Sequence, residues 1–138
     1  MNIAIIGGAG HYPFALEALA MRPGLQLCAV APAERDEDIS GLLAACRERG
    51  LAPQIHADAR ALLDAHPEIE LAAVNPWLSR AADVSIACLK RGIHVFSEKP
   101  LATAPDRLDE LERVWRASGC ALGGMFNLRY CGWLKTVR

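Results

Sequence analysis

Short, continuously apolar runs alternate with longer amphipathic stretches along most of the chain. The candidate strands are Asn2–Ile6, Leu25–Ala31, Pro53–His56, Leu71–Val74, Ile93–Phe96 and Cys120–Phe126. The candidate helices between them are Tyr12–Met21, Asp38–Arg49, Ala59–Ala65 and Arg80–Arg91, and a last one begins at Thr103-Ala104-Pro105-Asp106. Helical spacing offers Phe14, Leu16 and Leu19 for burial in the first, Ile39, Leu42, Leu43 and Cys46 in the second, and Leu108, Leu111, Val114 and Trp115 in the last. Pro23-Gly24, Gly50, His66-Pro67, Gly92 and Gly119 supply the stops. Asp58 and Thr103 are placed to cap the helices that follow them. Strict alternation with strands apolar on both faces predicts an α/β fold, a parallel sheet covered by helices on both sides. Right-handed crossovers favour a doubly wound, Rossmann-type sheet of about six strands in the order 3-2-1-4-5-6.

The chain has 138 residues, 52% hydrophobic and 22% charged, enough for one packed domain. A net charge of −1 carries no basic surplus, which argues against nucleic acid as a partner. The opening apolar run, Ile3–Ile6, is too short to cross a bilayer and has no basic flank, so neither a membrane partner nor a secretory leader is expected. Cys28, Cys46, Cys88, Cys120 and Cys131 form no C-x-x-C pair. They read as small hydrophobes in a reducing cytoplasm, with no zinc site or other metal and no disulfide framework.

The first strand runs into Gly7-Gly8-Ala9-Gly10-His11-Tyr12-Pro13 and then a helix. This is the arrangement in which backbone N–H groups and a helix N-terminus meet a nucleotide's phosphates, although it also suits a plain tight turn. Read from Gly8, the third fingerprint glycine is replaced by Pro13; read from Gly7, Ala9 and Tyr12 take the later positions. His11 could reach a phosphate or the adenosine end, or be an exposed loop histidine. At the end of the second strand, where an acid normally holds the ribose hydroxyls, stand Ala31-Pro32, with Glu34, Arg35 and Asp36 nearby. Arg35 could receive a 2′-phosphate or simply be solvated, so NAD and NADP both remain open.

The most specific stretch is Gly92-Ile93-His94-Val95-Phe96-Ser97-Glu98-Lys99-Pro100-Leu101-Ala102. It sets an acid and a lysine at the C-terminal end of the fifth strand, the edge where open α/β sheets bind ligands. A lysine there can polarise a carbonyl or hydroxyl oxygen or relay a proton, while a surface Glu98–Lys99 pair is the plainer reading. Together with the Rossmann opening, Asn75-Pro76 at the fourth strand end and the closing Met125-Phe126-Asn127-Leu128-Arg129-Tyr130, this block resembles the Gfo/Idh/MocA oxidoreductases.

The resemblance implies that Gly7, Gly8 and Gly10, with His11 and Tyr12, lie along the pyrophosphate of NAD or NADP. Asn75 and Pro76 would lie beside the ribose and nicotinamide end, and Glu98 would help position the cofactor. Lys99 would be the catalytic residue at the reacting carbon's oxygen, with Pro100 fixing the turn that aims it. Asn127 and Arg129 would lie near the cofactor and the domain junction. Arg80 stands where members often carry a histidine.

The implied activity is hydride transfer between the nicotinamide and a sugar, polyol or related hydroxyl carbon, a small-molecule substrate. The alternative is a nucleotide-binding Rossmann module that senses or scaffolds without chemistry. Residues 1–126 read as the dinucleotide-binding domain and 127–138 as the start of a connection to a C-terminal substrate domain that is absent. That reading predicts a truncated domain, weak in dinucleotide binding and inactive alone. It further predicts an apolar junction surface around Trp77, Phe126, Tyr130 and Trp133, through which a homo-oligomer could form.

Overall fold

The computed structural model of the protein describes residues 1–126. Its elements are β1 (Asn2–Ile6), α1 (Tyr12–Met21), β2 (Gln26–Ala31), α2 (Ser40–Glu48), β3 (Gln54–Ile55), α3 (Ala59–Ala65), β4 (Leu71–Val74), α4 (Ala81–Leu89), β5 (His94–Ser97), α5 (Pro105–Ser118) and β6 (Leu122–Gly124). A 3-10 turn, Leu78–Arg80, leads into α4. The six strands form one sheet in the order β3-β2-β1-β4-β5-β6, and every pair is parallel. This is the doubly wound order expected from alternation and crossover handedness.

Side-chain alternation along the strands divides the core in two. Ala4, Ile6, Ala29, Ala31, Ala72 and Val74 face α3, α4 and α5, where they meet Leu62, Leu89, Leu111 and Val114. Ile5, Val30 and Ala73 face α1 and α2, against Leu16, Leu42 and Cys46. Central strands buried on both faces explain the continuous apolar runs. Cys88 is wholly enclosed, and burial pushes its thiol up to about 12, so it packs as a hydrophobe.

Of four local expectations, one holds and three are corrected. Asp58 does cap α3, its carboxylate accepting the Ala61 N–H at 2.8 Å. Thr103 does not cap α5: the capping position is Ala104, which makes no side-chain bond, and Pro105 opens the helix because its missing N–H needs no partner there. Phe14 and Leu108, expected in the core, are exposed. Phe14 stacks instead on the His11 ring, with centroids 5.3 Å apart.

Candidate functional site

Strand register sets the site. Ile6 lies opposite both Ala31 and Val74, and Val74 lies opposite Ser97. The residues that follow, Gly7, Pro32, Asn75 and Glu98, therefore emerge together at the C-terminal edge of the sheet. That edge is where open α/β sheets bind ligands.

The glycine loop crosses this edge under close contact. Gly7 has φ +92°, and a methyl group on it would collide with the Asn75–Pro76 peptide. Gly10 has φ +67°, and a methyl there would collide with the Glu98 carboxylate. Both positions thus need glycine for two reasons, the left-handed backbone and the missing Cβ. The loop's N–H groups find two kinds of acceptor. Gly7 donates to the Ala31 carbonyl and Ala9 to the Asn75 carbonyl, both at 2.8 Å. Gly8 donates to Glu37 Oε1 at 3.2 Å, and His11 to Glu98 Oε2 at 2.7 Å. Two amides beside the N-terminus of α1 thus hold carboxylate oxygens of the chain itself, and Gly10 is left as the loop amide without a protein acceptor among the described residues.

Glu98 is the hub. Its residue is only 2% exposed. Burial alone would raise its carboxyl pKa. The hydrogen bond from the His11 ring, with those from the Lys99 and His11 backbone N–H groups, outweighs burial and holds the group below the usual glutamate range. An ionised carboxylate only accepts, so His11 Nδ1, 2.7 Å from Oε2, carries a proton. Oε1 accepts the Lys99 N–H at 3.0 Å and lies 3.8 Å from Lys99 Nζ. One carboxylate thus ties the glycine loop to the end of β5 and holds the lysine beside it.

Asn75 is fully buried, and neither its Oδ1 nor its Nδ2 has a hydrogen-bond partner among the described residues. Its backbone is engaged on both sides, donating to Ile6 and accepting from Ala9. A buried amide with free donors and acceptor at a ligand edge fits a polar group brought by a cofactor.

These residues surround a cleft of about 410 Å³ lined by Ala9, Gly10, His11, Pro76, Trp77, Leu78, Glu98 and Lys99. Of the residues expected from the sequence, Gly10, His11, Pro76, Glu98 and Lys99 meet there. Gly7, Gly8, Tyr12, Asn75 and Pro100 do not border it. Tyr12 turns toward α2, its hydroxyl close to Gly41, and Gly8 lies under the Asp38 carbonyl. Pro100 follows a cis peptide on the exposed turn. Asn127, Arg129, Tyr130, Trp133 and Cys131 lie outside the described residues. Lys99 is the only ammonium or guanidinium group lining the cleft among the described residues, and its side chain is 48% exposed.

A second cleft of about 240 Å³ lies at the ends of β2 and β4, lined by Ala33, Glu34, Asp36, Glu37, Trp77, Ser79 and Arg80. Trp77 borders both clefts. Sequence reasoning placed Trp77 only on an apolar surface and passed over Glu37 and Leu78. Trp77-Leu78 was discoverable, since it continues Asn75-Pro76. Glu37 was not: it sits among Glu34, Asp36 and Asp38, and only the folded loop singles it out. Arg35 is turned away, its Nε on Asp58 at 3.1 Å.

The profile of an oxidoreductase family with an NAD-binding Rossmann fold, GFO_IDH_MocA, matches residues 1–125. A comparison with curated protein sequences finds no match. Among solved structures, a Thermotoga maritima protein described as an oxidoreductase is 28% identical with a TM-score of 0.88, covering 99% of this chain and 41% of its own. Biliverdin reductase from Synechocystis sp. PCC 6803, in complex with biliverdin and NADP+, is 20% identical with a TM-score of 0.83, covering 99% and 41%. The WlbA dehydrogenase from Chromobacterium violaceum, in complex with NADH and UDP-GlcNAcA, is 23% identical with a TM-score of 0.79, covering 99% and 38%. At such identities the last two likenesses concern the fold alone. The chain spans about two fifths of the length of these proteins.

Proposed function

The chain belongs to the Gfo/Idh/MocA oxidoreductase family with its NAD-binding Rossmann fold, and from that premise we propose that it holds a nicotinamide dinucleotide across the C-terminal edge of its sheet, with Lys99 as the catalytic group of the whole protein. The reaction is hydride transfer to or from a hydroxyl-bearing carbon of a sugar, polyol or related compound. The observation that carries this reading is the convergence of the glycine loop, the turn that begins at Pro76 and the Glu98–Lys99 pair on one cleft.

When bound, the nicotinamide supplies or accepts the hydride. The chain's own residues do the rest. The Gly10 amide and the positive end of α1 face the pyrophosphate, and the glycines let it approach the backbone. Pro76 bounds the ribose and nicotinamide end, with the Asn75 amide enclosed behind it. Lys99 Nζ sets a cation at the oxygen of the reacting carbon, where it stabilises developing negative charge and passes a proton. Glu98 acts through others: it holds His11 in one tautomer and keeps the lysine beside the cleft. The open cleft and the share of its relatives that the chain spans leave water exclusion and the remaining substrate contacts to further parts of the whole protein.

Titration with NADH, followed by nicotinamide fluorescence, tests the reading. The wild-type chain is expected to bind saturably, and Lys99→Ala to retain affinity within about threefold, because the ammonium acts at the reacting carbon rather than on the dinucleotide. Gly10→Glu, checked for folding by thermal melt, is expected to abolish binding. A folded wild-type chain that shows no saturable binding at millimolar NADH would overturn the proposal.

A further inference from the structure

Residues 31–32 leave the end of β2 without the acid that usually holds the adenosine ribose, yet the folded chain brings one there from farther along. Glu37 reaches back so that Oε2 accepts the Ala33 N–H at 2.7 Å while Oε1 accepts the Gly8 N–H at 3.2 Å. Its carboxylate thus spans the gap between the glycine loop and the first residues after β2. If the nicotinamide half lies beside Lys99, the adenosine half extends past Trp77 into the second cleft, and its ribose comes to this gap.

We propose that Glu37 is the specificity-determining residue of the dinucleotide site and makes it select NAD(H) over NADP(H). The inference rests on the dinucleotide reading above and sharpens it. A carboxylate between Ala33 and Gly8 accepts hydrogen bonds from two ribose hydroxyls, whereas a 2′-phosphate would bring a second anion against it. The surroundings strengthen the discrimination. Glu34 and Asp36 also line this cleft, and Arg80 is its only cationic side chain among the described residues. Arg80 is already engaged, 2.8 Å from Glu34 and 3.8 Å from Asp83. Arg35, the other base close by in sequence, is held by Asp58. No free guanidinium among the described residues of this cleft awaits a phosphate, and like charges in a partly enclosed cleft repel more strongly than in bulk water.

The test compares four ligands by calorimetry: NADH, NADPH, ADP-ribose and 2′-phospho-ADP-ribose. The 2′-unphosphorylated member of each pair is expected to bind at least about tenfold more tightly, a difference of about 1.4 kcal/mol. Glu37→Gln keeps the size but removes the charge and one of the two accepting oxygens, and is expected to cut that ratio to about threefold or less. Equal or tighter binding of the phosphorylated ligands by the wild type would overturn the specificity and leave the dinucleotide reading intact. A ratio unmoved by Glu37→Gln would overturn the role of Glu37. Failure of all four ligands to bind a folded chain would overturn the dinucleotide reading and this inference with it.

Discussion

At the scale of single residues, Glu98 and Gly7 carry the site. Because the Glu98 carboxyl titrates below its unfolded value, its hydrogen bonds add stability that is complete above the ordinary glutamate pKa, about 4.3, and is lost as pH falls through the lower folded value. Thermal melts between about pH 6 and pH 3 should therefore show wild type losing more stability than Glu98→Gln. At neutral pH Glu98→Gln should cost about 1–3 kcal/mol, since a buried acceptor of charge-assisted bonds becomes a neutral amide. Gly7 and Gly50 make a paired comparison. Both have positive φ, but a side chain at Gly50 meets open space and one at Gly7 meets the Asn75–Pro76 peptide. Gly50→Ala should cost about 1–2 kcal/mol from backbone strain alone, and Gly7→Ala clearly more, measured by denaturant unfolding. The Glu98–Lys99 pair was legible in the sequence because of its place at a strand end. That the acid binds His11, far off along the chain, was not legible: it depends on β1 and β5 flanking β4, a fact of three dimensions.

At the scale of elements, the strands and the glycine stops were legible because burial on both faces leaves a long apolar signature and left-handed stops select glycine. Asp58 at the start of α3 was legible for a similar local reason, and Asp58→Ala should destabilise by about 1 kcal/mol. Thr103 shows the limit of such reasoning. It sits before a proline and an acid, as a cap does, but the helix begins at Pro105 and the threonine side chain is exposed and caps nothing. Thr103→Ala should leave the melting temperature within error of wild type. Phe14 and Leu108 were misplaced because helical spacing names a face and cannot say how far the neighbouring element extends over it. Phe14 lies over His11 at the mouth of α1, and Leu108 lies in the solvent-facing first turns of α5.

At the scale of the whole molecule, the strand order was legible from alternation and crossover handedness, which leave few topologies open. The second cleft was not, because its walls come from the β2–α2 loop and the turn after β4, and loops carry no periodic signal. Trp77, Leu78 and Phe126 are large apolar residues left exposed. Trp77 walls both clefts, and on the proposed reading it is the ridge over which a dinucleotide bends. On that reading the dinucleotide straddles this ridge along the C-terminal edge of the sheet. Amide chemical-shift mapping with NADH decides whether it does. Saturable shifts are expected at Ala9–His11, Ala33, Glu37, Trp77, Leu78, Glu98 and Lys99, with the opposite edge of the sheet unmoved. Shifts absent from the glycine loop and the β5 end, or confined to the opposite edge, would contradict it.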